Sequence, residues 1–67
     1  MINDKAHSYA VDASNSAKDA AGNIGDVAYF IETDSRSRAV QQIGWTIENS
    51  QRAIRYAKLA LTALGEK

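Results

Sequence analysis

The sequence predicts an all-α fold, an antiparallel two-helix hairpin that assembles into an oligomeric helical bundle, and three observations carry that expectation. There is no proline in 67 residues, so a helix meets no hard stop, and alanine, the strongest helix former, recurs along the chain. Apolar residues return at steps of three and four, the period of a helix face. The longest polar stretch contains Glu32-Thr33-Asp34-Ser35-Arg36-Ser37, near the midpoint, and Asp34, Ser35 and Ser37 are all good N-cap types.

The expected elements follow in order. A first helix covers about residues 4–32, starting at Asn3 or Asp4; a turn covers about 33–37; a second helix covers about 37–64, with Gly65 in the C′ position that glycine favours. The whole of 1–67 is one domain. Helix one shows an unbroken small-to-apolar row: Ala6, Ala10, Ala13, Ala17, Ala20, Ile24, Val27 and Ile31. Helix two shows Val40, Ile43, Ile47, Ser50, Ile54, Ala57, Leu61 and Leu64. Rows of equal length predict that the two zip together with small residues meeting large ones. Pairing Ile31 with Val40 puts Ser50 beside Ala20, where its hydroxyl can bond back to the carbonyl four residues earlier. Gly22 and Gly25 each cost about 1 kcal/mol relative to alanine in a helix. Two readings are open for them: close backbone approach to the other helix near Trp45, or a true break that makes three helices.

Composition narrows the function. A chain of 67 residues has a small core, and with no cysteine it has neither a disulfide nor a cysteine-held zinc, so self-association is the remaining stabiliser. Eight basic and eight acidic side chains balance to zero, which argues against duplex nucleic acid or an anionic membrane as partner. No apolar run approaches the 18 or more residues of a membrane span, and Met1 to Lys5 do not read as a signal peptide; a cytoplasmic protein is expected. At 45% hydrophobic, the chain is too apolar to be intrinsically disordered.

No enzyme chemistry, cofactor or metal is expected. The single histidine, His7, stands near a helix end beside Asp4 and Lys5, and the serines have no base nearby. Gly22-Asn23-Ile24-Gly25 follows a helix and no Lys-Ser/Thr pair comes after it, so it is not a phosphate-binding loop.

Helix two carries a second stripe, Trp45, Asn49, Arg52, Tyr56, Leu59 and Ala63, flanked by Arg55 and Lys58. One helix facing one partner cannot bury two stripes, so an exposed aromatic patch with cations is expected. It serves either as a subunit contact, with the acidic row Asp12, Asp19 and Asp26 as complement, or as a ligand surface. Tryptophan and tyrosine stack on nucleobases and arginine pairs with phosphate. The candidate ligand or interface residues are Tyr9, Trp45, Arg52, Arg55, Tyr56 and Lys58.

The stretch Gln51-Arg52-Ala53-Ile54-Arg55-Tyr56-Ala57-Lys58-Leu59-Ala60-Leu61, preceded by Asp34-Ser35-Arg36 at a helix start, resembles the second helix of a phage helical-hairpin family of cyclic-oligonucleotide sponges, of the anti-CBASS and anti-Thoeris type. The resemblance implies a non-catalytic homo-oligomer in the cytoplasm of a bacterial host that sequesters a cyclic nucleotide immune signal, with Tyr56 at the family's aromatic position. The alternative is a module that inhibits or assembles another protein by laying the aromatic and arginine stripe against it.

Overall fold

The computed structural model describes residues 3–65. Met1 and Ile2, the start of the segment read above for a signal peptide, lie outside the described residues. Helix α1 spans Asp4–Glu32 and α2 spans Arg36–Ala63, packed against each other as an antiparallel hairpin.

Local chemistry sets each helix end. Asn3 is the N-cap of α1: its Oδ1 accepts from the Ala6 amide at 3.0 Å, while its Nδ2 donates to the Ala63 carbonyl at 2.7 Å. One side chain therefore satisfies orphan groups on both helices and ties the free ends together. At the turn, the Asp34 amide bonds to the Ile31 carbonyl and the Ser35 amide to the Phe30 carbonyl. This is a Schellman closure with Asp34 in the left-handed region at φ 57°. Aspartate tolerates that region better than most residues, so the turn closes in three residues without glycine. The second helix thus begins one residue earlier than expected, with Ser35 as its N-cap, and ends at the Leu64 cap with Gly65 at φ 85°.

The face each helix turns to the other differs from the expected one. The inner rows of α1 are Ala6, Ala13, Ala20 and Val27 together with Tyr9, Ser16, Asn23 and Phe30, every one buried or half-buried. Those of α2 are Ala39, Thr46, Ala53 and Ala60 with Gln42, Asn49, Tyr56 and Ala63. Half of the row predicted for α1 is correct, whereas Ala10, Ala17, Ile24 and Ile31 are exposed. The row predicted for α2 is displaced: Val40, Ile47, Ile54 and Leu61 are 52–57% exposed. Small meets small at this interface. Alanine on both sides lets the backbones approach, and the amide side chains that share the inner rows pair with one another across the interface.

Those partners form a chain across the hairpin. Asn49 Nδ2 donates to Asn23 Oδ1 at 2.8 Å, Asn23 Nδ2 donates to Gln42 Oε1 at 2.9 Å, and Arg52 donates to Asn49 Oδ1 at 3.2 Å. Partly buried amides left unpaired are costly, so this chain fixes register as well as contributing stability. Farther along, the Tyr9 and Tyr56 rings stack with centroids 6.4 Å apart.

Neither reading of the two glycines holds. Helix α1 runs unbroken through Gly22 and Gly25, and a Cβ built on either meets nothing within 4 Å. There is no close approach for them to permit.

Among the described residues no side chain larger than valine is buried. The hairpin is a rod of 51 × 19 × 11 Å with a radius of gyration of 15.2 Å, against about 11 Å for a compact chain of this length.

Two expected outcomes follow from this packing. Asn23→Ala leaves Asn49 and Gln42 without their shared partner, and chemical denaturation should show a loss of about 1–3 kcal/mol; a loss within error of zero would mean the amide chain adds nothing. Gly25→Ala enters open space in a helix and should gain about 0.5–1 kcal/mol, read as a higher melting temperature.

Candidate functional site

The inner rows divide the rest of the hairpin into two flanks of opposite character. On one, Lys5, Asp12, Asp19 and Asp26 recur every seven residues along α1, beside Trp45, Arg52 and Leu59 at the same spacing along α2. On the other stand the exposed apolar residues Ile24 and Ile31 of α1 and Val40, Ile47, Ile54 and Leu61 of α2.

The polar flank holds an open concavity of about 400 Å³ lined by Lys18, Asp19, Gly22, Asn23, Asp26, Trp45 and Asn49. Trp45 is 44% exposed, so part of its ring is free for contact. Gly22 also lines this space, where a Cβ built on it meets nothing within 4 Å. Asn49 lines it too, its orientation held by bonds to Asn23 and from Arg52. An aromatic face, fixed amides and room beside a glycine suit a flat heterocycle with hydrogen-bonding edges. The carboxylates of Asp19 and Asp26 oppose a phosphate inside the concavity, so an anion is better placed at its α2 edge, near Arg52.

The six residues singled out from the sequence do not form one pocket. Arg52 and Arg55 share a shallow depression with Glu48 and Gln51 on the outer surface of α2. Trp45 lines the first concavity with Asn49, to which Arg52 donates at 3.2 Å. Tyr9 and Tyr56 are paired with each other at the hairpin interface, both half-buried, and Tyr9 also edges a second concavity at the free ends with Lys5, Leu59, Thr62 and Ala63. Lys58 is exposed on α2. The single stripe expected on α2 is thus two rows: Trp45, Arg52 and Leu59 on the flank, and Asn49, Tyr56 and Ala63 turned towards α1.

Sequence reasoning places Asn49 in the second stripe without a role and reads Gly22 and Asn23 only as a possible bend or packing point, so it singles out none of the three as a site residue. The signal was present, since Ser16 and Asn23 on α1, and Gln42 and Asn49 on α2, each stand seven residues apart in rows otherwise made of alanine and aromatic residues. Also missed was Arg38, whose guanidinium lies 5.8 Å from the centroid of Phe30 near the turn.

His7 is exposed, and among the described residues no three His, Asp or Glu side chains converge as metal ligands would. Nor is any described helix long and apolar enough to cross a membrane. No protein-family model, curated protein or solved structure matches this chain.

Proposed function

We propose that this protein is a non-catalytic homo-oligomer that sequesters a small anionic ligand, specifically a cyclic nucleotide signal, as a phage anti-defence protein in the cytoplasm of a bacterial host. The observation that carries the reading is a concavity lined by a half-exposed Trp45, Gly22 and Asn49, with Arg52 bonded to Asn49. A base stacks on the indole, worth about 1–3 kcal/mol. The fixed amides of Asn23 and Asn49 meet its polar edge, and Arg52 and Arg55 take the phosphate, a charge-assisted contact. The likeness of Gln51–Leu61 to a sponge helix supports the same ligand class.

The concavities among the described residues of a single hairpin are open, so tight retention requires a cyclic ligand to be held between subunits. Two bases on one ligand would engage two copies of the Trp45 surface, and the second contact then forms at high effective concentration. Sequestration needs nothing beyond this binding. A protein-binding module is the rival, favoured by one observation: the apolar flank exposes more large side chains than a nucleotide site uses.

Melting the protein with cyclic di- and trinucleotides tests the reading. A ligand at 100 times its Kd should add about 2.7 kcal/mol of stability, and the nucleotide recovered from the denatured complex should be chemically intact. Trp45→Ala should abolish the shift. Gly22→Ala should weaken binding while Gly25→Ala leaves it unchanged, although both fill open helix positions. Flat melting curves with every cyclic nucleotide would remove the sponge reading in favour of a protein partner.

A further inference from the structure

The exposed apolar flank runs the length of the hairpin. On α2, Val40, Ile47, Ile54 and Leu61 repeat every seven residues at 52–57% exposure, and Ile24 and Ile31 of α1 lie on the same side, at 51% and 64%. Ile31 and Val40 line one concavity at the turn end, which places the two rows on a common face. Towards the free ends the α1 row continues as Ala17 and Ala10, so the face is proud on α2 and recessed on α1 there.

The elongated hairpin as a whole exposes more surface than a compact chain of its mass. A compact monomer of 7.3 kDa is expected to expose about 4,200 Å² by the 6.3·M^0.73 scaling. This hairpin exposes 5145 Å². The excess, on the order of 900 Å², is close to the roughly 800 Å² that each partner buries in a standard stable interface. The recess on α1 beside the ridge on α2 lets two copies interlock about a two-fold axis.

We infer that the apolar flank, and not the Trp45 flank, is where a second copy of this chain docks, so that the large side chains missing from the hairpin's interior form the core of a dimer of hairpins. This rests on the self-association in the function proposed above and assigns its surface. It has a consequence for the ligand site: with the subunit contact on the opposite side, Trp45 and Arg52 stay accessible in the dimer, so a cyclic ligand held between two Trp45 surfaces bridges hairpins of two different dimers.

Sedimentation velocity of the intact protein should give at least a dimer. Ile47→Glu should reduce the mass to a monomer, and Leu59→Glu, on the opposite flank, should not. Because a hairpin without its partner is expected to lose helicity, a conservative pair carries the second arm. The chain has no cysteine, so Ile47→Cys and Leu59→Cys each introduce a single thiol. In the isolated hairpin Ile47 is 53% exposed and Leu59 38%, which makes position 47 the faster to react with a maleimide. Docking reverses the order, and the expected result is modification at 47 about tenfold slower than at 59, with the difference gone in urea. A monomeric wild-type protein, a persistent oligomer in Ile47→Glu, or faster modification at 47 would each overturn the assignment. None of these arms uses a nucleotide, so a failed ligand screen and a failed interface are separate results.

Discussion

Two helices share one interface, and in this hairpin the constraint on it is the pairing of Asn23 with Asn49. Half-buried amide groups on facing inner rows are best satisfied by each other, and only one register brings Asn49 to Asn23 and Asn23 to Gln42. Once that register is set, alanine faces alanine along much of the contact, Tyr9 meets Tyr56, and Asn3 reaches the Ala63 carbonyl at the open end. The close approach that alanine permits is what keeps these short amide bonds possible. A bulky residue at Ala20 or Ala53 would hold the helices apart and break the amide chain.

The rest of the surface follows from that choice. A hairpin held by small and polar side chains has little apolar burial to stabilise it alone, and its isoleucines and leucines are displaced to one flank. The other flank receives the charged rows, with Trp45 standing among Asp19, Asp26 and Asn49. Asn49 belongs to both worlds: one side of its amide locks the helices and the other accepts from Arg52 at the candidate ligand surface. Fold and site are therefore mechanically linked, and the arginine at the surface is oriented by the group that sets the register.

Much of the architecture is legible from residue order. The absence of proline, the spread of alanine and the polar stretch at 32–38 determine two helices and a turn, and Asn3 and Gly65 mark their outer ends by ordinary capping chemistry. The candidate surface is less legible. Trp45 and Arg52 can be recognised as exposed because one helix cannot bury two stripes against one partner, but Tyr56 belongs to a different row, and the stripe that joins them in sequence is split by the interface.

By itself the sequence determined the elements, since helix propensity, caps and turn residues act within a few positions of one another. It also determined that α2 carries more apolar surface than a single partner can cover. Only the tertiary structure decided which stripe faces inward. The competing rows on each helix lie about one residue's rotation apart, so periodicity alone ranks them nearly equal and favours the larger side chains. The outcome turned instead on whether the polar members of a row could find partners on the other helix, a pairing between residues 23, 42 and 49 that exists only once both helices are in place.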